Sequence, residues 1–267
     1  MRGRWVGIVL GFTLVTAATA AGPAASEPQA AAGALDLQVT FRLVSNLFAC
    51  PPDVPPAATE CRARTSTVSV RGLGTVSLAY TWPLGVGPPT CARPDFAKAL
   101  AAKGRISVAG KGEITFTLAE GSRCVSLDAL PQNEPQEFTI TGGTGPFAGA
   151  AGRGTVAERS IGGGVGTETW TGTLDVPGLT FDLTPPTLSG ANAKTVRVPK
   201  KAKTARVTFK VTATDDVDGS VPVSCQPKSG SRFKVGRTRV RCKATDTSAN
   251  TAKAAFTVTV KRRAVAG

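Results

Sequence analysis

The side chains able to do chemistry are few, and their types exclude much. Histidine is absent from the 267-residue chain, which rules out Ser-His-Asp and Cys-His nucleophilic catalysis and every His-ligated zinc site. Acidic residues are sparse and form no carboxylate pair of the kind glycoside hydrolysis uses, so no catalytic residue is assigned and an enzyme is not expected. Six cysteines, Cys50, Cys61, Cys91, Cys124, Cys225 and Cys242, include no CxxC pair. A reactive thiolate needs an accessible electropositive setting that nothing here provides, so they read as structural disulfides. Six cysteines allow fifteen pairings. Cys225 and Cys242 lie far from the other four and should pair within their own domain. Cys50 with Cys61 and Cys91 with Cys124 are the preferred remainder, other pairings among those four staying open.

Two further patterns could bind ligands. Asp215-Asp216-Val217-Asp218-Gly219 sets carboxylates beside a glycine, as oxygen-ligand calcium loops do, but no downstream glutamate stands at the EF-hand position. The stretch reads as a turn between strands, with no metal and no cofactor expected. The second pattern is cationic. Arg206 and Lys210 alternate with Val207, Phe209 and Val211, and Arg237, Arg239, Arg241 and Lys243 alternate with Thr238, Val240 and Cys242. Such a stripe suits a polyanion, an acidic cell-wall polymer or acidic glycan, with affinity that falls steeply with salt. The competing reading is a solvated face that protects an edge strand and aids solubility. No aromatic residue interleaves with the cations, which argues against nucleic acid for want of stacking platforms.

The elements that must carry these residues are strands. Period-two alternation marks Leu37 to Leu43, Val76 to Trp82, Ile114 to Leu118, Phe138 with Ile140, Trp170 to Val176, Val207 to Val211 and Phe256 to Val260. The fold class is therefore all-β, an antiparallel barrel followed by a sandwich. One helical candidate stands out, Pro94 to Lys103, with proline in its first turn and Gly104 as its stop.

At the N-terminus, Arg2 and Arg4 precede an apolar run from Trp5 to Val15 and small residues ending Ala18-Thr19-Ala20. This reads as a signal peptide over residues 1–21 with a flexible linker over 22–33, and no later run approaches the about 20 apolar residues of a membrane span. The chain is expected to be secreted, with any cell association non-covalent. Leu183-Thr184-Pro185-Pro186-Thr187 interrupts the strands and marks a boundary between domains at 34–182 and 184–265. From residue 184 onward there are 18 Lys and Arg against four Asp, so the whole formal charge of +14 belongs to the second domain.

The second domain resembles the hyalin-repeat (HYR) family. A Thr-Pro-Pro opening is followed in order by Ala213-Thr214-Asp215-Asp216, Gly219, Cys225, Pro227, Ser229-Gly230, Phe233, Val235-Gly236, Thr238, Val240, Cys242, Ala244-Thr245-Asp246 and Asn250. The resemblance implies an immunoglobulin-like sandwich and an extracellular adhesion or display role without catalysis. In the first domain, the glycine-rich string from Ile140 to Gly154 lacks the Gly-Lys-Ser/Thr ending of a phosphate loop. It resembles the Gly-Gly-Thr-Gly-x-Phe-x-Gly-Ala-x-Gly signature of allene oxide cyclase and dirigent-like barrels, which implies an antiparallel barrel of roughly eight strands. No catalytic residue of those families carries over. Phe147 is expected to plug the barrel end, with Tyr80, Trp82 and Phe116 lining the interior.

Two functions follow. The first is a non-catalytic extracellular binding or adhesion protein attached through its basic module. The alternative is a cyclase-like or dirigent-like enzyme, or an apolar-ligand binder, localised by that module. An isolated inward-facing carboxylate or arginine in a pocket favours the alternative, and a packed interior favours the first.

Overall fold

The computed structural model describes residues 33–86, 96–121, 124–126, 135–162 and 165–263. The expected signal peptide and linker lie outside the described residues, except Gly33.

Alternation fixes the first domain. Strand β1 (Ala34–Phe48) buries Leu35, Leu37, Val39, Phe41 and Leu43 and exposes the residues between them, the pattern of a sheet with one face on a core. It is followed by β2 (Ala58–Val70), β3 (Gly74–Val86), β4 (Phe96–Ala99), β5 (Ala102–Val108), β6 (Gly112–Leu118), β7 (Cys124–Ser126), β8 (Gln136–Gly143), β9 (Ala151–Gly162) and β10 (Val165–Asp175). The order β1-β10-β9-β8-β6-β5-β3-β2 closes on itself because β2 pairs with both β1 and β3. The result is a closed antiparallel barrel of eight strands, which leaves no free edge around its wall.

The helix expected over Pro94 to Lys103 does not form across its described residues, 96–103. Phe96–Ala99 is instead the strand β4, paired with Leu84–Val86 and with β7, and Ala102 already belongs to β5. Strand β3 runs past the barrel wall and offers its backbone as a ladder, and Leu100 N–H donates to Pro83 O at 3.0 Å. So short a helical window pays nucleation with few bonds in return.

The barrel is filled by its own side chains. Trp170 is the hub, with Phe116 and Phe138 at centroid distances of 4.8 and 4.9 Å and Phe41 at 6.1 Å, and all four rings are no more than 2% exposed. Glycines make room for them. Gly154 and Gly172 are opposite each other on β9 and β10, and a Cβ on either would come within 2.7 or 2.9 Å of the Phe138 ring. Phe147 sits in a single 3-10 turn, Gly145–Phe147, and is 1% exposed within the barrel core.

The second domain comprises β11 (Thr187–Ser189), β12 (Lys194–Val198), β13 (Thr204–Arg206), β14 (Thr212–Asp215), β15 (Gly219–Val221), β16 (Val223–Gln226), β17 (Arg232–Lys234), β18 (Gly236–Thr245) and β19 (Thr251–Arg262). A four-stranded sheet, β12-β19-β18-β16, shares one core with the β13-β17 pair, through Val198, Ala205, Val207, Phe233, Val240, Phe256, Val258 and Val260. A third sheet, β11-β14-β15, has its own small core at Ala213, Val221 and Ala244. The strand expected through Val207 to Val211 stops at Arg206. From there the backbone bonds the 228–231 turn: Val207 N–H donates to Ser231 O, Gly230 N–H to Val207 O, and Phe209 N–H to Ser229 Oγ. Its apolar side chains still face the core, because a turn satisfies the backbone as well as a ladder does.

Among the described cysteines, Cys50 bridges Cys61 and Cys225 bridges Cys242, the latter across directly paired positions of β16 and β18. The expected Cys91–Cys124 bridge falls outside the residues whose side chains are described.

The domains meet hairpin to hairpin. Gly72 N–H, in the β2–β3 turn, donates to Ser248 O at 2.7 Å, and Arg71 donates to Leu183 O and to Asn250 Oδ1. Asn250 in turn donates to Asp182 O at 3.0 Å. Gly74, at φ 96°, lies so close that a Cβ would be 2.3 Å from Thr247 O, which only glycine tolerates.

Candidate functional site

The outer face of the four-stranded sheet carries cations and, among its described residues, no carboxylate. On β18, Arg237, Arg239, Arg241 and Lys243 are exposed while Val240, Cys242 and Ala244 between them are buried. Register extends the row sideways: Lys243 faces Lys253 on β19, and Lys261 on β19 faces Arg197 on β12. Thr257 and Thr259 lie opposite Arg239 and Arg237, and Ser224 and Gln226 of β16 lie opposite Lys243 and Arg241. Seven cations thus share one face with short polar side chains and no carboxylate among its described residues. Successive cations on β18 stand about 6.7 Å apart, two strand residues.

Arg206 and Lys210 do not join this face. Arg206 is on β13 in the other layer, opposite Arg232 of β17, and points away from the shared core. Lys210 lines an open cleft at the sandwich edge with Phe209, Val223 and Lys228. The six cations grouped in the sequence are therefore split, and Arg197, Lys253 and Lys261 take the places of two. Local alternation could not have found these three, because they arrive by sheet register.

Inside the barrel the structure holds a polar network that sequence reading did not name. Glu168 is 2% exposed and accepts from the Tyr80 hydroxyl and, at 3.1 Å, from Trp170 Nε1–H. Arg64 is 3% exposed, donates from Nη2 to Glu158 Oε1 at 2.6 Å and stacks 4.0 Å over the Trp82 ring. Burial pushes the Glu168 carboxyl up to about 6 against the opposing pull of Arg64 and the Tyr80 hydrogen bond. Tyr80 is held well above the ordinary phenol range by burial and by Glu168. Burial opposes the Arg64 charge, but Tyr80, Glu158 and Glu168 outweigh it and its pKa is raised. An inward-facing carboxylate and arginine are both present, within an interior that aromatic rings fill. The one hint in the sequence was polar residues at positions of β2 and β10 where alternation calls for apolar ones.

The acidic stretch is the turn its sequence suggests. Asp215 ends β14 and its Oδ1 accepts from the N–H groups of Val217 and Asp218 at 3.0 and 3.1 Å, turning the chain into β15. Asp218 accepts from the backbone and hydroxyl of Thr247, which hold its pKa below the ordinary value. The fold adds Asp182 and Asp246 to this turn. Burial raises Asp182, and the charges of Asp246 and Asp215 raise it further against the pull of the Thr184 N–H.

No helix among the described residues is long and apolar enough to cross a membrane. No curated protein matches this chain. Over residues 181–260 it matches the HYR domain family, which is consistent with an extracellular adhesion-type module and with the two disulfides.

Proposed function

We propose that the chain is a secreted, non-catalytic binding protein that attaches to anionic surface polymers through the β12-β19-β18-β16 face. The observation that carries this reading is the grouping of Arg197, Arg237, Arg239, Arg241, Lys243, Lys253 and Lys261 on one sheet face without an intervening carboxylate. A face serving solubility alone is usually of mixed sign, whereas a single-sign field concentrates a polyanion. The partner is an acidic cell-wall polymer or acidic glycan rather than nucleic acid, since none of the face residues is aromatic. The match to the HYR domain and the disulfides support an extracellular setting.

The test is retention of the full chain on an acidic cell-wall polymer, a sulfated glycan and a neutral glycan across a salt series. Retention on the acidic supports should weaken about a thousandfold or more between low and moderate salt if six or more charges are engaged. The triple variant R237E/R239E/R241E should lose it, and R206E/K210E should keep most of it. Equal retention of wild type and the triple variant would end the proposal.

One observation favours a second reading. Glu168, buried and with a raised pKa, is the kind of inward carboxylate a cyclase-like or dirigent-like barrel would use. The packed rings around it argue for a structural role, and the glycine-string resemblance is the only other support for the enzyme. Turnover of an apolar substrate lost in Glu168→Gln would favour that reading.

A further inference from the structure

Three carboxylate oxygens at the junction of barrel and sandwich have no partner. Each belongs to an aspartate whose other oxygen is tied to the backbone. Asp182 Oδ1 accepts from Thr184 N–H at 3.0 Å, Asp215 Oδ1 from Val217 and Asp218 N–H at 3.0 and 3.1 Å, and Asp246 Oδ1 from Asn250 N–H at 2.8 Å. These bonds fix the three carboxylates. The second oxygen of each, Oδ2, is shut off from solvent and accepts no hydrogen bond among the described residues. Asp246 as a whole is only 8% exposed. One carboxylate oxygen from each of Asp182, Asp215, Asp218 and Asp246 lies within 4.8 Å of the others.

Burying one unpaired anionic oxygen is unfavourable, and gathering three beside a fourth carboxylate is more so. Lys111 contributes a positive charge near Asp218, and the Ser248 hydroxyl and Thr184 N–H pull on the Asp182 carboxylate, but the Oδ2 atoms of Asp182, Asp215 and Asp246 accept no hydrogen bond among the described residues. An arrangement that is held rigid and left short of positive charge is one that a bound cation completes.

We propose that Asp182, Asp215, Asp218 and Asp246 form a calcium site that fastens the barrel to the sandwich. The donors are all oxygen, with no histidine or free thiol, which selects a hard cation. Calcium binds oxygen at about 2.3–2.6 Å, so ligands on opposite sides of one ion stand about 4.6–5.2 Å apart, the span seen here. Magnesium keeps several of its waters, and the three Oδ2 atoms closed to solvent leave little room for them. Ligands come from three separate segments. Asp182 leads out of the barrel core beside Phe181, Asp215 and Asp218 belong to the β14–β15 turn, and Asp246 to the β18–β19 loop that touches the β2–β3 hairpin. Three ligands come from the sandwich and the fourth from the segment that leaves the barrel, so a bound ion favours the docked arrangement of the two domains. The site does not depend on the cationic face, which lies on other residues.

The experiment is calorimetric titration of the chelator-treated full chain with calcium and then with magnesium. Thermal unfolding and limited proteolysis of the 176–187 segment are followed with and without calcium. Wild type should bind one calcium per chain with Kd on the order of 10⁻⁵ to 10⁻³ M, unfold at higher temperature with the ion, and resist cleavage at the junction. D215N/D246N keeps the Oδ1 acceptors and so keeps the turns. It should bind calcium about a hundredfold more weakly, and in chelator it should be at least as stable as wild type because a mutual repulsion has gone. No saturable calcium binding by wild type up to about 10 mM, beyond the range of extracellular sites, overturns the proposal, as does unchanged affinity in D215N/D246N or equal affinity for magnesium.

Discussion

Replacing Glu168 with glutamine should remove a pH dependence that the folded barrel carries. The Glu168 carboxyl titrates at about 6 in the folded chain against an ordinary 4.5, so the folded state binds this proton more tightly than the unfolded state. The sign follows from linkage. The stabilisation is complete below the unfolded value and is lost as pH rises through the folded one. A shift of that size corresponds to about 2 kcal/mol between pH of roughly 4 and 7. In Glu168→Gln the group no longer titrates. The amide keeps one acceptor for Tyr80 or Trp170 Nε1–H and faces the other with an NH₂, a loss of about 1 kcal/mol. The variant should therefore be the less stable protein near pH 4, and wild type should lose that advantage or fall behind near pH 7. Urea unfolding followed by tryptophan fluorescence reads the right domain, because Trp82 and Trp170 both lie in the barrel. A difference between the two proteins that stays constant across this pH range would refute the assignment of a raised pKa to Glu168.

Two stability predictions concern other parts of the fold. Gly154→Ala should destabilise the barrel by about 3 kcal/mol or more, at the top of ordinary overpacking, since its Cβ would sit 2.1 Å from Thr171 O and 2.7 Å from Phe138. Gly178→Ala, at φ 75° in open space, should cost only the about 1–2 kcal/mol of a left-handed residue, and parallel denaturant melts would separate the two. Removing the Cys225–Cys242 bridge with C225A/C242A frees a loop of sequence separation 17 and should cost the sandwich about 3 kcal/mol, read by comparing its unfolding with that of wild type under non-reducing conditions.

Much of the architecture is legible in the sequence because it rests on local period. Leu37 to Leu43 and Ile114 to Leu118 alternate, and they are β1 and β6 with the same residues inward. The failures occur where a non-local partner decides. Phe96–Ala99 has the spacing of a helical turn, but the overhanging end of β3 supplies a ladder from across the sheet. Val207 to Val211 has the period of a strand, but its backbone bonds go to the turn around Ser229. The cationic face shows the same division. Its β18 row is plain in the sequence, while Arg197, Lys253 and Lys261 join through register alone.

The acidic cluster shows why a motif search over one segment misleads for carboxylates. Judged by its own spacing, Asp215 to Gly219 is a turn, and it is one. What makes it more than a turn is Asp182, 33 residues earlier, and Asp246, 28 residues later than Asp218. The charge ledger of the second domain sharpens the point. From residue 184 onward the chain has 18 cations and only four carboxylates, and three of those four join Asp182 at the junction rather than lying among the cations. Were these aspartates merely surface residues, spreading them over the cationic face would relieve repulsion of both signs at once. Their concentration at the barrel contact, with three oxygens closed to solvent and unpaired, is costly for an apo protein and favourable for one that holds a divalent ion between its domains. The same segregation leaves the face of β18 and β19 uncompensated, which a polyanion would reward. An ion that stiffens the junction would then set the angle at which the barrel is held above the surface its cationic face binds.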